Sequence, residues 1–267
     1  MTLRLNQIKD IEKKVLHILE NVNYLFSKER ISKISVKQKI DGSPLSELDE
    51  EVNLLITKEL KAFEEFPVVS EESPQEEISA DTYWILDPID GTKALISGKD
   101  DFTVNIALIN AGEPIFGAIL QPMEKKIYLG GKDIKPYLMR GNKSKFTLKT
   151  IKKEAICNIV LSESHGSEDE REICEKLAKK YKETNIRRLS SSLKICRICE
   201  GRSNLYIRLG PINKWDIAAG HAILIACGGN IVDSSFKKID YKPQQKYLIE
   251  GFYAFSHDSF LEHIIDD

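Results

Sequence analysis

The stretch Trp84-Ile85-Leu86-Asp87-Pro88-Ile89-Asp90-Gly91-Thr92 leaves few folds open, because an apolar run that reads as a strand closes in two acids separated by a proline. Asp and Pro both disfavour strand continuation. The pattern therefore predicts a strand that leaves its sheet here and delivers two carboxylates to something positive. Hard cations such as Mg²⁺ take oxygen ligands, commonly a few carboxylates with phosphate oxygens and water. Gly91 permits close backbone approach, and the amides of Gly91 and Thr92 are placed to face an anion as those at a helix start do.

Further acids stand at the ends of other expected elements. Glu71 and Glu72 follow a short β-rich run, residues 67–70. Asp49 lies in a helix opening at Ser46, with the three-residue offset of a capping box. Asp216 falls in the first turn of a helix after Trp215. Taken singly, each is an ordinary acid of a helix start or loop; together they suggest a cation site.

The surrounding pattern is α/β. Ile8, Ile11, Val15, Ile18, Val22 and Leu25 recur at spacings of three and four, which predicts an amphipathic helix over 5–26. Strands are expected at 68–69, 84–86, 103–109 and 115–120, an antiparallel signature with a turn at Asn110-Ala111-Gly112. From residue 159 onward strands and helices alternate: helices over 170–181, 191–200 and 216–227, the last stopped by Gly228-Gly229, and strands at 159–161, 186–189, 205–208 and 231–232. The Lys-rich stretch 123–153 contains turn signals and places a lobe boundary near its end, and its lysines over 125–153 read as a solvated face. This divides the chain into an α+β N-terminal lobe, 1–154, and an α/β C-terminal lobe, 155–267, acting as one unit.

Composition excludes several classes. With 39 Lys+Arg against 41 Asp+Glu the formal charge is −2, without the basic excess of a nucleic-acid polymer binder. The most apolar stretch, 218–229, contains His221 and is too short to span a bilayer. Five cysteines at irregular spacing (Cys157, Cys174, Cys196, Cys199, Cys227) read as buried thiols of a reducing compartment, and the N-terminus does not read as a secretory signal, so a cytoplasmic location is expected. Cys196 and Cys199 fall on one helix face and read as packed residues, as does His221.

Two motifs together carry a family resemblance. Trp84 to Thr92 resembles the W-x-x-D-P-x-D-G-T signature of the Mg²⁺-dependent, lithium-sensitive phosphatases of the inositol monophosphatase superfamily. Far downstream, Trp215-Asp216-Ile217-Ala218-Ala219-Gly220 resembles their W-D-x-A-A-G motif. The resemblance implies the layered α-β-α-β-α sandwich of the sugar-phosphatase type. It also implies that Glu71, Asp87, Asp90, Asp216 and the carbonyl of Ile89 bind two or three Mg²⁺ ions. Thr92 and Asp49 would orient and deprotonate the attacking water, and Glu72 would support them from behind. A phosphate monoester is dianionic and four carboxylates alone repel it, so metals must reverse the local field.

Within the superfamily, the chain resembles the bacterial 3′(2′),5′-bisphosphate nucleotidases. Lys93 matches their D-G-T-K pattern, Ser162-Glu163-Ser164-His165 resembles their S-x-S-H element, and Ser190 to Lys194 resembles their second-lobe motif. Asn204 and Arg208 stand where inositol-handling relatives carry carboxylates, and an arginine suits a second phosphate. Gly91, Thr92, Lys93, His165, Ser191, Lys194 and Arg208 are thus the expected substrate contacts. Ser46, Ser70 and Ala94-Leu95 depart from the pattern without removing an acid. The expected reaction is hydrolysis of 3′-phosphoadenosine 5′-phosphate to AMP and phosphate by a metal-activated water, with 3′-phosphoadenosine 5′-phosphosulfate as a further substrate. The alternatives are an inositol monophosphatase and a non-catalytic phosphate sensor.

Overall fold

The apolar stripe at the N-terminus forms α1 (Leu5–Asn23), and the computed structural model describes residues 5–39, 42–63, 66–73, 78–150, 155–163, 166–243 and 247–265. A short helix α2 (Lys28–Ile31) and the hairpin β1 (Val36–Gln38) and β2 (Pro44–Ser46) lead into α3 (Glu47–Phe63). The next strands are β3 (Val68–Ser70) and β4 (Thr82–Asp90), and then comes the one-turn helix α4 (Thr92–Ile96). A meander follows through β5 (Thr103–Asn110), β6 (Glu113–Gln121), β7 (Lys126–Gly131), β8 (Ile134–Met139) and β9 (Lys145–Thr147). The remainder comprises β10 (Ile156–Ser162), α5 (Glu168–Lys180), β11 (Glu183–Leu189), α6 (Leu193–Cys199), β12 (Leu205–Arg208), β13 (Ile212–Asn213) and α7 (Lys214–Cys227). It ends in β14 (Asn230–Asp233), β15 (Leu248–Ile249), β16 (Phe252–Phe255) and α8 (Asp258–Ile265).

Among the described residues, β3 to β9 lie in sequence order in a seven-stranded sheet, with β3 parallel to β4 and the rest antiparallel. A five-stranded sheet has the order β11-β10-β12-β16-β14. Alternation along β4 decides the layering, since successive side chains face opposite sides. Trp84 and Leu86 pack with Ile11, Val15, Val52 and Ile56 of α1 and α3. Ile85 points the other way, into a core shared with Ile195 of α6, Ile217 and Ile223 of α7, and Tyr206 and Phe252 of the second sheet. The outer face of that sheet is covered by Leu177 of α5 and Phe260 of α8. The layers therefore run α-β-α-β-α, the sandwich expected.

The helix between the sheets must be apolar all round, and its small residues set how closely the layers approach. A Cβ added at Gly117 of β6 would lie 2.1 Å from the carbonyl oxygen of Ala219, so α7 rests directly on the sheet backbone. This contact fixes the height at which Asp216, one turn earlier, enters the site.

Two expectations change. The strand at 84–86 does not leave its sheet at Asp87. It continues to Asp90 inside the sheet, with the register shifting between Asp87, opposite Asn105, and Asp90, opposite Thr103. Pro88 and Ile89 on β4 thus answer the single residue Val104 on β5, and the bulge accommodates Pro88, which has no N–H for the ladder. The Lys-rich stretch, expected only as a solvated face, also carries the strands β7, β8 and β9: Lys132, Lys135 and Lys145 are exposed, while Ile127, Leu129, Leu138 and Met139 are buried. The expected lobe boundary at 154 lies outside the described residues. All five cysteines are buried and unpaired, and His221 is a packed helix residue bonded to the Tyr241 hydroxyl and Asn230.

Candidate active site

The bulge in β4 turns Asp87 and Asp90 towards the end of β3 and the start of α7. Glu71, Asp87 and Asp216 each offer a carboxylate oxygen within 4.8 Å of the others. Asp87 is 1% exposed, and neither of its oxygens meets a hydrogen-bond partner among the described residues. Burial, reinforced by the neighbouring acids, pushes the acids of Asp87 and Asp216 well above the usual carboxylate range, and burial likewise raises Glu71 and Asp90. An unpartnered buried acid among acids is costly unless a cation joins it. Hard oxygen donors at this spacing fit Mg²⁺, so Glu71, Asp87 and Asp216 could hold one ion, with Asp90 and the Ile89 carbonyl adjoining.

Each acid has a support. Asp216 closes a capping box with Asn213, accepting from its backbone N–H at 3.3 Å. Asp90 accepts from Ser192 Oγ at 2.8 Å, and Asn105 Nδ2 donates to that same hydroxyl at 2.7 Å. Ser192 Oγ also lies 3.0 Å from the Asp216 carbonyl, so one serine ties the strand acid to α7. Ser70, which precedes the Glu pair, donates to Asn53 Oδ1 of α3 at 2.7 Å.

Thr92 and Asp49 come together although distant in sequence: Thr92 Oγ1 lies 3.1 Å from Asp49 Oδ1 and 3.1 Å from the Ile89 carbonyl. The other Asp49 oxygen is held by the Ser46 N–H at 2.8 Å and by the Ser46 hydroxyl. The Asp49 acid is raised by burial, with those hydrogen bonds pulling the other way. Gly91 turns the chain between them at φ +96, and a Cβ there would press on the Asp101 carbonyl at 3.2 Å.

A cleft of about 470 Å³ opens over these groups, lined by Glu71, Asp90, Gly91, Thr92 and Lys93 on one side and by Ser191, Lys194, Arg208 and Asp216 on the other. Asp49, Asp87, Ile89 and Glu72 lie behind this lining. Lys194 is buried and donates to the carbonyls of Ser191 and Leu189 at 2.7 and 3.3 Å. Burial lowers its ammonium to about 8, against the pull of Asp90. Arg208 donates through Nη2 to the Pro211 carbonyl at 2.9 Å, while its buried Nε has no partner among the described residues. Ser191 is buried with φ +53, and Lys93 is exposed at the rim. His165 lies outside the described residues.

Sequence reasoning missed three contributors. Lys39, after β1, pairs with Glu71 at 2.7 Å and also with Glu72. Burial works against its charge, but the two carboxylates outweigh it and raise the ammonium; Glu72 is itself pushed up to about 7, chiefly by burial. Ser192 and Asn105 were equally unmarked, although Ser192 stands in the Ser190-Ser191-Ser192 run and a small hydroxyl at a helix start is a recognisable signal.

Similarity to known proteins agrees with this geometry. The chain is 35% identical over 219 residues to the 3′(2′),5′-bisphosphate nucleotidase CysQ of Salmonella typhimurium, covering 80% of this chain and 86% of that one. It is also 35% identical over 227 residues to CysQ of Buchnera aphidicola, covering 83% of each. Among solved structures, CysQ from Bacteroides thetaiotaomicron, a bacterial member of the inositol monophosphatase family, superposes with a TM-score of 0.74 at 28% identity, over 91% of this chain and 92% of that one. An IMPase/NADP phosphatase complexed with Mg²⁺ and phosphate shares the fold, with a TM-score of 0.78 at 18% identity over 98% and 97% of the two chains. The sequence profile of the inositol monophosphatase family matches residues 12–265, and on that match the chain belongs to this family.

Proposed function

We propose that the chain is a Mg²⁺-dependent phosphomonoesterase that hydrolyses 3′-phosphoadenosine 5′-phosphate to AMP and phosphate. The observation that carries the reading is the unpartnered Asp87 carboxylate, buried between Glu71 and Asp216 and beside the Thr92–Asp49 pair. The substrate class is supported by the relatives named as 3′(2′),5′-bisphosphate nucleotidases and by the cations lining the opposite wall.

On this reading Glu71, Asp87, Asp90 and Asp216, with the Ile89 carbonyl, hold two or three Mg²⁺ ions, which supply Lewis acidity and reverse the negative field of the acids. Thr92 Oγ1 orients the attacking water, and Asp49 takes the proton through Thr92, because Asp49 is already pinned by Ser46 and has one oxygen left for the threonine. Glu72 and Lys39 set the charge at the outer edge of the acid cluster. Lys93, Ser191, Lys194 and Arg208 receive the nucleotide, with Arg208 Nε the donor that no protein group uses. The reaction centre lies between an N-terminal lobe, 1–154, and a C-terminal lobe, 155–267. No helix among the described residues is long and apolar enough to cross a membrane, and the five unpaired thiols favour a cytoplasmic enzyme.

Phosphate release from 3′-phosphoadenosine 5′-phosphate and from inositol 1-phosphate, each with Mg²⁺ and with chelator, tests the reading. Mg²⁺-dependent preference for the nucleotide is expected. Preference for inositol 1-phosphate would reassign the substrate, and no release from either would favour a binding protein.

A further inference from the structure

Where α1 ends against the first sheet, on the face away from α7, a second cavity of about 210 Å³ opens and shares no lining residue with the cleft. Its floor is apolar, made by the buried Leu120, Ile127 and Met139 of β6, β7 and β8. Asn23 and Tyr24 form one wall, and two turns of the meander bring Lys125, Arg140 and Lys143 to the rim. These turns touch, since a Cβ on Gly141 would lie 3.1 Å from that of Lys125. Lys125 and Lys143 both stand at positive φ, +50 and +63, where glycine or asparagine is usual. Two disfavoured backbone positions thus carry lysines at one rim.

Lys143 pairs with Glu20 at 3.3 Å. Lys125 and Arg140 meet no carboxylate among the described residues, and the Arg140 guanidinium lies 4.9 Å over the Phe146 ring. Asn23 Oδ1 is buried and has no donor among the described residues, and Tyr24 holds its ring 85% exposed. A buried acceptor without a donor, an aromatic ring left in water and two uncompensated cations above an apolar floor are each unfavourable alone. One kind of molecule answers all of them: a flat ring against Tyr24 and the floor, an N–H for Asn23, and an anion for Lys125 and Arg140. Inorganic phosphate would answer only the cations. The cavity is smaller than the roughly 300 Å³ at which clefts for drug-sized ligands begin, so it takes the ring and leaves the anion at the rim, where the cations stand.

We propose that this cavity is a second ligand site, separate from the catalytic cleft, that takes a nucleoside monophosphate with its base inward and its phosphate at Lys125 and Arg140. The site stands on its own geometry, and only the choice of AMP as probe rests on the proposed reaction, which releases it. The walls of the cavity continue into the packing behind the cleft. Leu25 and Phe26, which follow Tyr24, and Met123, two residues before Lys125, pack with Leu48, Ile89 and Phe102, and the rings of Phe26 and Phe102 are 5.4 Å apart.

Calorimetric titration of the full chain with AMP in chelator tests the site without turnover, because the bare acids of the cleft then repel a phosphate. One AMP per chain is expected, with inorganic phosphate and adenosine each binding at least about tenfold more weakly. The double variant Lys125→Glu, Arg140→Glu alters only exposed side chains; it should weaken AMP at least about tenfold, while Arg208→Glu in the cleft leaves AMP binding unchanged. Amide hydrogen exchange should slow over residues 22–26 and 122–127 when AMP is added. Binding lost in Arg208→Glu but kept in the rim variant would put AMP in the cleft, phosphate binding as tightly as AMP would leave an anion site only, and no saturation at millimolar AMP would leave no site; each overturns the proposal. Turnover of 3′-phosphoadenosine 5′-phosphate with Mg²⁺ is expected within about twofold of wild type in the rim variant, and absence of turnover in the wild type would overturn the activity reading while the titration still decides the site.

Discussion

Thr92 Oγ1 sits 3.1 Å from Asp49 Oδ1, and the other oxygen of Asp49 is fixed by Ser46, the residue just before its own helix. The threonine hydroxyl also lies 3.1 Å from the Ile89 carbonyl, so its single hydrogen has two acceptors within reach, and Thr92 lines the cleft. On the proposed mechanism the capping interaction doubles as a proton path: Asp49 is held by Ser46 and reaches the site through Thr92.

This arrangement predicts different outcomes for two substitutions of Thr92. Thr92→Val removes the hydroxyl and keeps the shape, and is expected to lower kcat by about 10²–10⁴-fold, the range of a lost general-base path. Thr92→Ser keeps the hydroxyl and should retain most activity. Comparable kcat values for Thr92→Val and wild type would remove the pair from the mechanism.

Asp87 predicts a stability effect that depends on metal. Without ions it is a buried acid facing Glu71 and Asp216, so Asp87→Asn should raise the melting temperature in chelator. With Mg²⁺ at a hundred times its dissociation constant, the wild type should gain about 2.7 kcal/mol by mass action, roughly 5–10 °C for a chain of this size. The variant should lose most of that gain. Thermal scans with and without chelator read both effects, and an equal Mg²⁺ response in the two proteins would place the ion elsewhere.

The acids that cluster in the structure were legible in the sequence because Asp87 and Asp90 interrupt an apolar run and the others stand close to the ends of expected elements, where a carboxylate has no packing role to disguise it. Their supports were not. Asn105 lies mid-strand and Ser192 at a helix start, and only the crossing of β5 with the turn before α6 gives them a shared task. Lys39 stands in a hairpin whose exposed residues carry no periodicity, so neither the strand nor its pairing with Glu71 could be read. The strands β7 to β9 were hidden by the lysines at their ends and turns, although β7 and β8 are buried on both faces, with Tyr128 and Leu138 in the core towards α7 and Ile127, Leu129 and Met139 in the core beneath α1 and α3. The continuation of β4 through Asp87 was misread for a physical reason: a bulge tolerates Pro and Asp inside a sheet, whereas propensity alone ends the strand there.

Gly117 links the fold to the site through α7. Because a Cβ at this position would meet the Ala219 carbonyl oxygen at 2.1 Å and its carbon at 2.8 Å, backbone must move to admit it. Gly117→Ala is expected to cost at least ~2 kcal/mol and to weaken Mg²⁺ binding as well, since the displaced helix carries Asp216. Denaturant melts and Mg²⁺ titration of the variant check both, and a loss of stability with unaltered metal affinity would show that the helix tolerates the shift without moving its N-terminus.

His221 gives a pH dependence separable from that of the acid cluster. It is 3% exposed, its Nδ1 faces the Tyr241 hydroxyl and its Nε2 faces Asn230 Oδ1. Burial lowers its imidazole from 6.5 to about 4, with the Asn230 bond opposing. A histidine depressed in the folded state is held neutral, while the unfolded chain takes up a proton first. Its contribution is therefore complete above pH 6.5 and declines as pH falls towards 4, by up to ~1.4 kcal/mol per pH unit. The buried acids of the metal site slope the other way without ions, because their raised pKa values favour the folded protein at low pH. The difference between wild type and His221→Gln isolates the histidine: the variant should lose less stability than wild type between pH 6.5 and 4, and parallel stability curves across that window would show that His221 does not stay neutral in the core.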